Sequence, residues 1–107
     1  MYYKFTELAE ADLEDALKYI STQLCNAKAA AELLSKTDKI IENICLFPYA
    51  YPDCTYFFIG DENIRHALVD NYVLIYEVKV DEKQINILRF RYTRMDLTEV
   101  EIKKENK

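Results

Sequence analysis

Two helical periods lie back to back in residues 6–47, with a break of only two or three residues between them. Thr6 has the chemistry of an N-cap, and Glu7 and Glu10 stand in the first turn, where the helix dipole favours negative charge. Leu8, Leu13, Ala16, Leu17, Ile20 and Leu24 follow as one apolar stripe. The acids Glu10, Asp12, Glu14 and Asp15 lie mostly off that stripe and are expected on a solvated face. Asn26 restarts the pattern as a second N-cap. Ala27, Ala30, Leu33, Leu34, Thr37, Ile40, Ile41 and Ile44 make a second stripe that ends near Phe47. Pro48 forces the stop, because the residue before a proline is biased away from helix. Helices joined this tightly form an antiparallel hairpin, and Ala29, Ala30 and Ala31 let the two axes approach closely.

Strand signals flank the hairpin. The opening YYKFT alternates aromatic and polar residues, which predicts a short strand at Tyr2–Phe5. Beyond the turn segment FPYAYPDC come three β-rich runs, Asn63–Val69, Tyr72–Val80 and Gln84–Tyr92. Asp70-Asn71 and Asp81-Glu82-Lys83 separate them by gaps of hairpin length. The middle run is apolar on both faces in its first half, the mark of a central strand, with Tyr72 and Tyr76 on one core face. The order β-α-α-β-β-β predicts a single α+β domain over residues 1–95. Its N-terminal strand pairs from outside the hairpin order, and its helix hairpin packs on one face of a mostly antiparallel sheet of about four strands. Residues 96–107 are expected to be a polar tail. The face of the sheet away from the helices is expected to stay open, together with a strand edge.

Several chemistries are poorly supplied. Cys25, Cys45 and Cys54 lie 20 and 9 residues apart with no close pair, so they read as reduced thiols rather than a disulfide or zinc framework. The one histidine, His66, has no carboxylates at ligand spacing around it and is expected as a solvated strand residue, so neither a metal nor another cofactor is expected. No apolar run approaches the ~20 residues of a membrane span, and the acidic start is not a signal peptide, so the expected location is the cytoplasm.

Charge is uneven. The formal net charge is −5, which argues against broad nonspecific affinity for nucleic acid. Residues 1–62 hold five basic and eleven acidic side chains, whereas QINILRFRYTRM (84–95) holds three arginines and no acid. Arg89 and Arg91 are two apart on a strand and so share a face; Leu88, Phe90 and Tyr92 point to the other. If the second set packs towards the helices, the arginines occupy the open face, where they could bind RNA or a partner, or simply solvate it.

The order of elements and four phrases resemble the RelE/ParE superfamily, the toxins of type II toxin–antitoxin and plasmid-stabilisation modules. The phrases are YKFTELAEADLEDALKYI, IIENICLFPYAYP, IRHALVDNYVLIYEV and INILRFRYTRMD. The resemblance implies a compact toxin neutralised by a cognate antitoxin. It also implies one of two targets, with ribosome-bound mRNA cut without a metal as the leading expectation and DNA gyrase inhibited without catalysis as the alternative. A toxin fold that retains only antitoxin binding is a third reading.

The resemblance carries functional residues over in part. It assigns Arg65, Tyr92 and Arg94 as catalytic residues of an mRNA endonuclease, acting as phosphate-charge stabiliser, proton-transfer group and phosphate anchor. Val73 and Met95 stand where relatives often carry arginine. The antitoxin arm is expected to bring acids to Arg89, Arg91 and Arg94.

Overall fold

The structure is a computed structural model that describes residues 1–52 and 63–93. Strand β1 (Tyr2–Phe5) leads into helix α1 (Glu7–Lys18), whose last turn widens into a π-helical turn at Tyr19–Gln23. Helix α2 (Ala27–Leu46) returns, and strands β2 (Ile64–Val69), β3 (Tyr72–Lys79) and β4 (Gln84–Tyr92) complete the chain's regular structure. The strand order is β1-β4-β3-β2. β2–β3 and β3–β4 are antiparallel, and β1 pairs parallel to β4, with Tyr2 opposite Gln84 and Phe5 opposite Ile87. This is the α+β sheet-and-hairpin arrangement predicted, with β1 added from outside the hairpin order.

The helix ends obey local chemistry. The hydroxyl of Thr6 accepts from the N–H of Ala9 at 3.2 Å, and the side-chain oxygen of Asn26 accepts from that of Ala29 at 3.0 Å. α2 stops one residue before Phe47, itself followed by Pro48. The junction between the helices is tighter than the stripe implied. Cys25 takes a left-handed φ of 48°, and Leu24 is 57% exposed rather than continuing the buried stripe. The extra residue of the π turn rotates the end of α1 away from the core. Leu34, also counted in a stripe, is exposed at the surface of α2.

The core between helices and sheet gathers Ala9, Ala16, Leu33, Ile41 and Ile44 against Leu74, Tyr76, Val78, Ile85, Ile87 and Phe90. Ile87 and Phe90 are three residues apart yet lie in the same core. The reason is a bulge: Ile87 faces Tyr76 and Arg89 faces Ile75, which leaves Leu88 as an extra residue. A strict period of two cannot anticipate that shift, so the expected grouping of Leu88 with Phe90 and Tyr92 fails.

The expected open face is also corrected. Val73, Ile75 and Leu88 fall outside the helix-side core, yet they are 1%, 1% and 0% exposed. Asn86 is buried with them. Both faces of the central strands are shielded, so β3 and β4 read as nearly continuous apolar runs.

Thr6 is where sheet and helix meet. Besides capping α1, its hydroxyl donates to the carbonyl of Leu88 at 3.1 Å, and its N–H donates to that of Ile87 at 3.0 Å. The side chain is buried, so losing the hydroxyl strands one donor and one acceptor. Thr6→Val is expected to cost about 1–3 kcal/mol in chemical denaturation. Thr6→Ser, which keeps the hydroxyl, should recover most of it; equal losses in the two variants would deny the hydroxyl this role.

Candidate functional site

Beyond Ile87, β1 has ended and β4 has no strand neighbour on that side. Asp12 of α1 takes the neighbour's place. One carboxylate oxygen accepts from the backbone N–H of Phe90 at 3.1 Å and from Nε of Arg89 at 2.7 Å. The other accepts from Arg89 at 3.1 Å and from Arg91 at 3.2 Å. The Asp12 side chain is 8% exposed, that of Arg89 10% and that of Arg91 25%.

The two arginines therefore do not stand free on a face. They fold over the sheet edge to an acid on the helix, which corrects both the solvated place expected for Asp12 and the exposed place expected for Arg89 and Arg91. The signal was in the sequence: Asp12 is three residues after Ala9 and four before Ala16, so it belongs to the inward side of α1. A carboxylate there needs a cationic partner.

Arg65 lies on β2, the opposite edge strand of the sheet. Its guanidinium donates to the carbonyl of Tyr51 at 2.6 Å and more weakly to that of Tyr49 at 3.4 Å, and lies 4.7 Å from the centre of the Tyr49 ring. The Tyr76 hydroxyl donates to the carbonyl of Pro48 at 2.7 Å, and the Tyr51 ring meets that of Tyr76 edge-on. Arg65 thus fastens the turn after α2 to β2. His66, half-buried on the same strand, donates its backbone N–H to the carbonyl of Pro52.

Tyr92 ends β4 far from Arg65. Arg65 pairs with Tyr76 and Tyr92 with Tyr72, four residues apart along β3, or roughly 13 Å at the usual rise. Arg94 and Met95 lie outside the described residues, as do Cys54 and the expected tail 96–107. Of the three residues assigned to catalysis, the structure places two, and it does not bring them together.

Tyr92 belongs instead to an aromatic wall. Its ring meets Tyr72 edge-on at 5.5 Å, and Tyr72 stacks on Phe90 at 5.0 Å with the planes 10° apart. Burial, then the Tyr92 and Tyr19 phenols beside it, push the Tyr72 hydroxyl above its ordinary range. Burial likewise raises the Cys45 thiol, opposed in part by the charge of the N-terminus.

The aromatic wall closes one side of a groove of about 670 Å³ between the helix hairpin and the end of the sheet. Ala16, Ile20 and Leu33 provide apolar lining, and Asp15, Glu32 and Asp70 are exposed carboxylates at it. Lys36 reaches both oxygens of Asp70 at 3.1 Å. The composition suits an amphipathic segment with basic residues on its outer side. Reading the stripes separately missed this groove, because it forms only where the two helices and the β2–β3 turn converge.

Among the described residues, no group of three or more His, Cys, Asp or Glu could hold a metal ion. No described helix is long and apolar enough to cross a membrane.

No curated protein matches the chain. Among solved structures, the chromosomal ParDE toxin–antitoxin system from P. aeruginosa resembles it at 18% identity with a TM-score of 0.68. The match covers 88% of this chain and 97% of the other, a likeness of fold. The family model described as the ParE toxin of the type II toxin–antitoxin system parDE matches residues 3–97. On that match, over nearly the whole length, the chain belongs to the ParE toxin family of type II toxin–antitoxin systems.

Proposed function

We propose that this toxin acts by binding, without cutting RNA, and that its target is DNA gyrase, the target associated with the ParE branch. The supporting observation is the disposition of its arginines. Cleaving RNA without a metal requires cationic groups converging on one phosphate and a proton-transfer group beside them. Arg65 is spent on the turn at Tyr49–Tyr51, Arg89 and Arg91 are engaged by Asp12, and Tyr92 packs on Tyr72 about 13 Å along the sheet from Arg65.

The same reading gives the antitoxin a seat. A groove with an apolar floor and carboxylates at its mouth fits an amphipathic arm bearing lysine or arginine. A basic arm fits this groove better than the acidic one expected from the arginine island, because Asp12 engages both Arg89 and Arg91 while Asp15 and Glu32 stand exposed at the groove.

The test pairs two assays. Supercoiling by purified gyrase should fall as the toxin approaches stoichiometry with the enzyme, while mRNA on translating ribosomes stays full length. Truncated message with normal supercoiling would restore the endonuclease reading. Activity in neither assay would mark a fold that retains antitoxin binding alone.

A further inference from the structure

The sheet has three stretches of edge among the described residues, and two of them are engaged at least in part by neighbouring chain. Along β2, the carbonyl of Pro52 takes the N–H of His66, and Tyr51 holds Arg65. Beyond Ile87, Thr6 and Asp12 close β4. The third edge, the outer side of β1, has no strand partner among the described residues, and Tyr2 and Tyr3 are 82% and 51% exposed. An uncovered strand edge invites another strand.

The register shows which groups face outward. Tyr2 donates its N–H to Lys83 and Thr6 donates to Ile87, so the even positions are turned towards β4. The N–H and C=O of Tyr3 and Phe5 therefore point away from the sheet. Around this edge stand apolar groups that are out of place on a lone surface. Leu46, 71% exposed, lies beside Met1, Tyr2 and Tyr3, and Val80, 54% exposed, lies beside Met1 and Tyr2.

We propose that two copies of this chain pair through β1, antiparallel about a two-fold axis at Tyr3, to make a continuous eight-stranded sheet. Centred there, the two Tyr3 residues exchange both backbone hydrogen bonds. Each Tyr2 then faces the second copy's Lys4, an aromatic–cation pair, and each Met1 faces a Phe5. The competing register centred on Lys4 sets two ammonium groups directly opposite each other, at a cost. The Leu46 side chains flank the axis and are withdrawn from water on pairing. A four-residue edge with this collar falls short of the roughly 800 Å² per partner of a stable complex, so the dimer is weak and reversible. It does not depend on the target of the toxin.

Sedimentation of the full chain, free of antitoxin, from about 10 μM to 1 mM should show a reversible monomer–dimer equilibrium, the range suited to so small an interface. Tyr3→Pro removes the outward N–H and leaves the ladder to β4 untouched; it should weaken association at least tenfold. Tyr3→Glu sets two carboxylates against each other and should do the same, which keeps the test open if the proline variant misfolds. A wild-type chain that is monomeric throughout, or a dimer that persists in Tyr3→Glu, overturns the assignment. So would a monomer whose β1 amides become protected from exchange only when the antitoxin is added, since the edge would then belong to that partner.

Discussion

Asp12→Ala is expected to lower the free energy of unfolding by about 3–5 kcal/mol, the scale for removing one partner of a buried ion pair. One carboxylate with a side chain only 8% exposed accepts from two guanidinium groups and from the backbone N–H of Phe90. Without it, Arg89 keeps its charge in a place where water reaches a tenth of its side chain, and Phe90 loses its acceptor. Against the ~5–15 kcal/mol that holds a domain together, that loss would leave much of the variant unfolded at modest denaturant. Arg91→Met should cost less, since Arg91 makes a 3.2 Å contact and is more exposed. Pairing Asp12→Leu with Arg89→Met removes the more buried charge pair and should recover part of the loss, because an apolar pair pays no desolvation, while Arg91 and the Phe90 N–H still lose this acceptor. Urea titrations followed by circular dichroism measure all of these. An Asp12→Ala variant within about 0.5 kcal/mol of wild type would mean that the clasp is effectively solvated.

The fold was legible in local chemistry. Thr6 and Asn26 cap where they should, Pro48 follows the end of α2, and the gaps at Asp70-Asn71 and Asp81–Lys83 separate paired strands. These signals act over a few residues, so a sequence displays them directly. The edges and faces were harder because they depend on contacts about 80 residues apart. Asp12 looks like one of four surface acids until β4 is laid beside α1 and its two arginines turn over the edge. The bulge at Leu88 shifts half of β4 by one position, and that half carries every arginine of the strand. Pattern reading thus grouped Arg89 and Arg91 correctly with each other and misjudged what surrounds them.

The candidate site depends on the same long-range geometry. Arg65 and Tyr92 match positions of a known pattern one at a time, but chemistry needs them within reach of one phosphate. Their separation is set by the β2–β3–β4 register, which no single phrase encodes. The groove is invisible for the same cause. Asp15 and Glu32 belong to different helices and become neighbours of one cavity only through the tight turn at Cys25.

That turn makes Ala29 a sensitive position and supplies the second large effect. Ala29 is half-buried in the first turn of α2, lines the groove beside Leu24, and holds its place through its backbone, whose N–H donates to Asn26. Ala29→Trp should therefore leave the fold intact while its indole fills the groove. Affinity for the cognate antitoxin is expected to fall at least ~100-fold, as when a central anchor of an interface is displaced. Exchanging the carboxylates, Asp15→Lys with Glu32→Lys, should act by a different route. It should weaken binding by about tenfold at low salt and flatten the dependence on ionic strength, because exposed charges at a rim govern encounter more than retention. Titration calorimetry on the folded variants separates the two effects. If Ala29→Trp binds the antitoxin as tightly as the wild type does, the arm rests elsewhere on the toxin. Supercoiling inhibition by the same variant should be unchanged if gyrase contacts another surface, and lost with antitoxin binding if toxin and antitoxin compete for this one groove.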